Sequence, residues 1–325
     1  MAALEAATAA LAPGYTTRRP AMADLPAALA MIVASDLADY GEPNYTEEEL
    51  RDSWEEVDLA TESWLIHSPD RELAGYLGTR LHGQEWVEVE GYVHPAHRGQ
   101  GVGTTLIRLS EIRAEALQGQ AAAGERLFLS NAVNGRLAAA TGLMETMGYS
   151  AARHFWQMAI ELTGPPPAPH WPAGITVRSM ASEEEERTAY DLNQEVFADH
   201  WGHVVVPFAD WLRRKKATGF DPALWFFVEE GERLAGLAIC GTYTPALGWI
   251  HNLGVRQPWR RRGLGRALLL HALGAFHAAG TPKVALGVDA ENETGATSLY
   301  ESAGMHVAHH YTVYERPVLP ARGER

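Results

Sequence analysis

The sequence is short of cysteine. Cys240 stands alone among 325 residues, so no disulfide can form within the chain and the fold must rest on packing. A chain of this kind suits a reducing compartment, and cytoplasmic residence is expected. Cys240 itself lies in the apolar run Leu237-Ala238-Ile239-Cys240 and reads as core, not as a nucleophile. No stretch approaches the roughly 18 consecutive apolar residues of a membrane helix, so no membrane association is expected. The alanine-rich start, residues 1–13, lacks basic residues ahead of its apolar part and reads as a frayed helix or tail. Basic residues are scarce throughout: 27 Lys and Arg against 41 Asp and Glu leave a formal net charge of −14. Coulomb repulsion then disfavours nucleic acid and anionic membranes and favours a cationic partner such as an amine.

What is present reads twice. The run Thr163-Gly164-Pro165-Pro166-Pro167-Ala168-Pro169 divides the chain near its middle. Stacked prolines neither donate to a ladder nor continue a helix, so this is a stiff spacer. The expected layout is a tail at 1–13, a domain at 14–162, a linker at 163–173 and a second domain at 174–325. Each half shows a strand, one or two helices, three strands, then helix, strand, helix, strand, which is an α/β (α+β) domain with a mixed, mostly antiparallel sheet flanked by helices. Thr46-Glu47-Glu48-Glu49 and Ser182-Glu183-Glu184-Glu185 both read as capping boxes. The acidic run after Ser182 is a solvated helix start that suits the macrodipole.

Two segments carry the functional signal. Val93-His94-Pro95-Ala96-His97-Arg98-Gly99-Gln100-Gly101-Val102-Gly103-Thr104 and Val255-Arg256-Gln257-Pro258-Trp259-Arg260-Arg261-Arg262-Gly263-Leu264-Gly265-Arg266 each follow an apolar strand and open a long helix. Glycines let main-chain N–H groups approach a ligand, the helix start adds unpaired donors, and arginines bring local positive charge. The combination is a diphosphate cradle. No Gly-Lys pair occurs, which excludes a Walker loop, and Leu106 and Leu268 stand where a Rossmann turn needs its third glycine.

These loops resemble the R/Q-x-x-G-x-G/A signature of the GNAT acetyltransferase superfamily. The second half continues with Val288 to Ala296 and then Leu299-Tyr300-Glu301-Ser302-Ala303-Gly304-Met305, similar to the family's N-x-x-A…L-Y-x-x-x-G-F segment. It has one extra residue between Asn292 and Tyr300, and Met305 in place of Phe. The layout of two tandem GNAT-type domains is similar to that of mycothiol synthases, without that substrate following from it. The resemblance implies direct transfer of an acetyl group from acetyl-CoA to the amine of a small-molecule acceptor. The first copy would hold CoA through Tyr92, Val93, Arg98, Gly99, Gln100, Gly101, Val102, Gly103 and Thr104. The second would use Leu253, Gly254, Val255, Arg260, Arg261, Arg262, Gly263, Leu264, Gly265, Arg266 and Asn292.

The family's thiolate acid is a tyrosine four residues before the late glycine. Here that is Tyr300, before Gly304. The same step back from Gly148 in the first half lands on Met144, which has no proton to give. The second domain is therefore expected to be catalytic, and the first to hold CoA structurally or to use water as acid. His251 is a candidate base, with a water chain as the alternative, and Glu88 and Glu90 are carboxylate candidates in the first domain. Trp201, Phe208 and Trp211, flanked by His200, His203 and Asp210, lie where an acceptor pocket is expected. His306, His309 and His310 lack a matching carboxylate or cysteine, and no metal is expected. Two further readings stay open: a CoA-loaded sensor without turnover, and an acetyltransferase conferring antibiotic resistance. Oligomeric state is not fixed by the sequence.

Overall fold

The computed structural model describes residues 2–318 apart from 84, 121–125, 202, 218, 293 and 294. Glu293 and Thr294 of the late motif, and residues 319–325 of the expected second domain, lie outside the described residues. The chain forms two compact units, Met1–His154 with His310–Arg325, and Phe155–His309.

The first unit contains α1 (Ala2–Thr8), β1 (Thr16–Arg18), α2 (Leu25–Tyr40), α3 (Glu47–Glu55), α4 (Leu59–Glu62), β2 (Ser63–His67), β3 (Leu73–His82), β4 (Trp86–Val93), α5 (Val102–Gln118), β5 (Phe128–Asn134), α6 (Ala138–Thr146) and the start of β6 (Ser150–Glu161). β1 to β4 run antiparallel in order, and β4 then pairs parallel with β5. A parallel pair needs a crossover, and α5 supplies it. One apolar cluster joins Leu25 and Ile32 of α2, Leu50 and Trp54 of α3, and Tyr76 of β3. The Trp54 indole N–H donates to the Tyr76 hydroxyl at 2.9 Å. A second cluster packs Leu106 and Leu109 of α5 on Val87, Val89, Leu127 and Leu129. The Thr46 capping box forms as expected: its hydroxyl accepts from Glu49 N at 3.2 Å, while Thr46 N donates to the Glu49 carboxylate at 2.9 Å.

The second unit repeats the plan with β7 (Ile175–Ser179), α7 (Glu185–Phe197), α8 (Phe208–Ala217), β8 (Phe220–Glu230), β9 (Arg233–Thr244), β10 (Leu247–Val255), α9 (Leu264–Ala278), β11 (Lys283–Asp289), α10 (Ala296–Ser302) and the start of β12 (His306–Pro317). β7 to β10 are antiparallel and β10 pairs parallel with β11. Cys240 is buried in the cluster beneath α9, beside Leu268 and Phe276. α7 and α8 cover the other side with Leu192, Val196, Trp211, Trp225 and Phe227.

Three features depart from the sequence reading. The units do not divide at the proline linker. Residues 155–161 of β6 complete the second unit's sheet by pairing antiparallel with β11, and residues 311–317 of β12 complete the first by pairing with β5. β5 and β11 each offer one open edge, and a strand's own pattern does not say which edge it fills. Second, Ser182 caps nothing: α7 starts at Glu185, whose carboxylate accepts from Ala181 N at 2.7 Å and from Arg178 at 2.6 Å. Third, the start, read as a frayed helix or tail, forms the helix α1 and is docked, with Ala7 buried in the α5 cluster.

Arg316 ties the incoming strand down by pairing with Glu111 of α5 and donating to the Met147 carbonyl at 3.0 Å. Burial raises the Glu111 pKa, so its carboxylate depends on this partner. Arg316→Ala is expected to lower the unfolding free energy by about 1–3 kcal/mol in urea titrations. An unchanged midpoint would show that the pair adds nothing to the strand's anchorage.

Candidate functional site

The second unit contains a cavity of about 870 Å³ whose walls follow from strand geometry. β10 and β11 pair only over Leu247–Trp249 and Lys283–Ala285. Beyond that point they diverge, and both diverging edges, Ile250–Val255 and Leu286–Asp289, line the cavity. Main-chain groups that would otherwise close the ladder are thus directed at the opening. A register shift between Ile250 and Asn252 leaves His251 as an extra residue opposite β9.

β10 runs into the arginine-glycine loop. Gly263 has φ +84° and is the N-cap of α9, and a Cβ placed on it would meet nothing within 4 Å. Gly265 is needed for a different reason: its Cβ would lie 3.0 Å from Leu299 Cδ1, so it lets α10 close on α9. The start of α9 therefore presents unpaired N–H donors and the positive end of its dipole to open space. The arginines have distinct tasks. Arg260 Nε donates to the Val255 carbonyl at 3.0 Å, and Arg262 pairs with Glu230 at 2.8 Å. Glu230 also accepts from the Trp259 indole at 3.0 Å, and its pKa is lowered chiefly by the Arg262 hydrogen bond. Arg260, Arg261, Gly263, Leu264, Gly265, Arg266 and Asn292 all line the cavity, as do Leu253, Gly254 and Val255.

Tyr300 reaches the same cavity from α10 and is 9% exposed. Burial pushes its phenol up to about 12, so it carries its proton at neutral pH. His251 is held neutral, its pKa lowered to about 3 by burial and secondarily by the charge of Lys215. Its Nε2 and the Asn252 Oδ1 are both buried without a hydrogen-bond partner. Aromatic rings close one side: Phe155 against Trp201 at 5.8 Å, and Phe197 against His200 at 4.6 Å. Of the expected acceptor aromatics, Trp201 lines the cavity, whereas Trp211 and Phe208 belong to the α7–α8 core. The sequence reading missed Phe155, Phe197 and Asn252. Asn252 had a signal, lying beside His251 on the same strand; Phe155 had none, because it arrives on the exchanged strand.

The first copy has the same backbone and a different outcome. Gly101 has φ +79° and N-caps α5, and Gly103 lies against Leu143 as Gly265 lies against Leu299. The space in front of Gly101, however, is taken by the chain's own N-terminal segment. A Cβ at Gly101 would sit 1.8 Å from the Ala10 carbonyl oxygen, and Ala12 N donates to the Gln100 carbonyl at 3.0 Å. Arg98 is engaged with Asp39 at 2.7 Å. Tyr92 stacks on Tyr76 with centroids 6.5 Å apart, and Val93 packs on the α5 core. The expectation that Arg98–Thr104 form an open diphosphate cradle is thus corrected: α1 and the turn after it cover that loop. Met144 is buried where the second copy has Tyr300. Glu88 is exposed and 2.6 Å from His82 Nε2. Glu90, its carboxyl pushed up to about 7 by burial and by Glu88, accepts from the Tyr45 hydroxyl at 3.4 Å.

Among the described residues, no group of three or more His, Cys, Asp or Glu side chains is placed to hold a metal ion. No described helix is long and apolar enough to cross a membrane.

Comparison with known proteins agrees with this geometry. The model of the acetyltransferase (GNAT) family matches residues 29–149 and again 182–305. A mycothiol acetyltransferase of Thermobispora bispora is 34% identical over 246 residues, covering 74% of this chain and 78% of the relative. That of Geodermatophilus obscurus is 32% identical over 294 residues, covering 87% and 91%. A solved GCN5-related N-acetyltransferase from Sphaerobacter thermophilus superposes with a TM-score of 0.84 at 36% identity, covering 95% of this chain and 98% of that one. A tandem GNAT protein from the clavulanic acid biosynthesis pathway has a TM-score of 0.72 at 16% identity, covering 94% and 99%, and shares the fold.

The buried His251 yields a pH test. Its folded pKa, about 3, lies below the roughly 6.5 of an unfolded histidine. The unfolded chain therefore takes up a proton that the folded chain refuses. This contribution to stability is complete above about pH 6.5 and is lost as the pH falls from there toward 3. Between pH 7 and 5 the wild type should lose about 1–2 kcal/mol more than His251→Gln, by urea unfolding at both values. Equal losses would mean that His251 is free to protonate in the fold.

Proposed function

The chain belongs to the GNAT acetyltransferase family and is an acyl-CoA-dependent acyltransferase, and from that premise we propose that its second unit transfers the acetyl group of acetyl-CoA to the primary amine of a small-molecule acceptor. The observation that carries this reading is the difference between the two loops: open space in front of Gly263, a carbonyl oxygen of the chain itself in front of Gly101.

The residues present fit the cofactor. The N–H groups at the start of α9 would receive its diphosphate, with Arg260, Arg261 and Arg266, which line the cavity, offsetting the charge in an otherwise acidic protein. The diverging edge of β10 would hydrogen-bond the amides of the pantetheine arm, as a missing sheet neighbour would. When bound, acetyl-CoA supplies a thioester carbonyl as the acyl donor. Tyr300, which lines the cavity and is protonated in its buried setting, would give a proton to the sulfur as the thiolate leaves. The amine must arrive uncharged, so an ammonium must first lose a proton. The His251 Nε2 and Asn252 Oδ1 acceptors, unpartnered at the cavity wall, suit a hydrogen-bond donor such as an amine N–H, and water takes the proton, because burial opposes a charged His251. The aromatic side formed by Phe155, Phe197 and Trp201 suits the acceptor's carbon frame and a cationic nitrogen approaching it. The name of the relatives, mycothiol acetyltransferase, supports a small-molecule acceptor and makes that class the first to assay.

Tyr300→Phe is expected to lower kcat by about 10²–10⁴-fold while leaving acetyl-CoA affinity within about twofold. Thiol release and isothermal titration read the two quantities. Full activity in this variant would remove Tyr300 from the role of acid.

A further inference from the structure

The Asn193 Oδ1, Trp211 Nε1, His251 Nε2 and Asn252 Oδ1 atoms are buried without a hydrogen-bond partner among the described residues. Asn193 and Trp211 are each only 5% exposed. Buried polar groups are as a rule paired, so a set of unpaired ones in one layer marks where a polar group from outside the chain belongs. His251 and Asn252 stand at the cavity wall. Asn193 sits one turn ahead of Val196 and Phe197, which line the same cavity. Its helix, α7, crosses β10 so closely that a Cβ at Gly254 would meet Val196 at 2.5 Å. One turn further back, Tyr190 packs its ring on Trp211 of α8, with centroids 5.4 Å apart. Lys215 follows Trp211 by four residues and so shares its face of α8.

The basic residues around Lys215 are paired within the protein. Arg213 pairs with Asp210 at 3.3 Å, and Lys216 with the buried Glu186 at 2.6 Å. Lys215 makes no hydrogen bond or ion pair with another described residue. It is partly buried, and its charge acts on the His251 imidazole. Burial lowers its pKa to about 8, which leaves it mostly charged at neutral pH. In a chain of net charge −14, carboxylates are plentiful, yet none is set against this ammonium. Such a cation is suited to an anion that arrives with a ligand. The phosphates of the coenzyme have other partners, Arg260, Arg261 and Arg266 at the start of α9, so the anion belongs to the acceptor.

We propose that the acceptor is an amine that also carries a carboxylate, and that Lys215 is the residue that recognises this second group. The proposal rests on the acyl-transfer site assigned to the second unit and names the class of its acceptor. The His251 and Asn252 atoms accept from the amine, while the Lys215 ammonium and the Trp211 indole N–H donate to the carboxylate oxygens. Phe155, Phe197 and Trp201, which line the cavity, face the carbon frame. Lys215 touches no reacting atom: it selects the acceptor and positions it.

The test compares phenylalanine and β-alanine with their carboxamides on the full chain and on Lys215→Met and Lys215→Arg. Thiol release from acetyl-CoA gives kcat and KM, and calorimetry at saturating CoA gives Kd for any compound that is not turned over. For at least one pair the wild type should favour the carboxylate over the amide by about tenfold in KM or Kd. Lys215→Met should raise that constant for the carboxylate by about 10–100-fold, keep kcat within about threefold, and leave the constant for the amide unchanged. Lys215→Arg should restore part of the preference. The unfolding midpoint of Lys215→Met should hold or rise, because an unpaired, partly buried charge is removed. An equal loss for carboxylate and amide, as a merely structural lysine would give, overturns the proposal. So does a wild type that shows no preference for the carboxylate, or that binds CoA and none of these compounds. Failure of the wild type to bind CoA would instead overturn the site assignment beneath it.

Discussion

A helix can grip an anion only if the chain enters it without covering its first N–H groups. Both units meet that constraint in the same way, with a glycine in the left-handed region as the N-cap of the long helix, Gly101 for α5 and Gly263 for α9. An L-residue there would strain the turn. A second glycine two residues on, Gly103 or Gly265, lets α6 or α10 pack close through Leu143 or Leu299, and in the second unit Tyr300 lines the cavity. The loop, the divergence of β10 from β11 and the position of Tyr300 therefore depend on one another.

The copies share this backbone and differ in what occupies it. In the first, Ala10 and Ala12 occupy the turn, Arg98 is bound to Asp39, and methionine stands at the acid position. Each change alone would weaken cofactor use, and together they convert a ligand cradle into a seat for the chain's own start. In the second, the loop remains open. Burial there keeps both Tyr300 and His251 uncharged, Tyr300 with its proton and His251 without a second one, which suits a proton donor and a hydrogen-bond acceptor at neutral pH. The surrounding acidity is offset locally: Glu230 fixes Arg262 and leaves Arg261 to face the cavity.

The fold was legible because its signals are local and doubled. Alternating strands, the Thr46 capping box and two glycine-rich turns each reflect backbone preferences that a short window contains. What escaped depends on partners distant in sequence. Nothing in 155–161 or 311–317 says which open edge each segment will fill. The alanine-rich start gives no sign that its carbonyls will lie over a glycine about 90 residues away, because alanine helices are equally at home in solvent. Ser182 has the capping pattern, but Arg178 and the Ala181 amide draw Glu185 into another arrangement. At the site, Tyr300 was marked by the family resemblance and His251 by its chemistry on the strand before the loop, while Phe155 became part of the wall only through the exchanged strand.

The central claim is that one copy has an open diphosphate cradle and the other is filled by the chain itself. A crystal structure of the full chain with CoA tests it most directly. Density for the diphosphate should lie against the main-chain amides at the start of α9, with Ala10–Ala12 still seated on Gly101 and no coenzyme there. Coenzyme bound at Gly101 with the N-terminal segment displaced, or an empty loop at Gly263, would contradict the account.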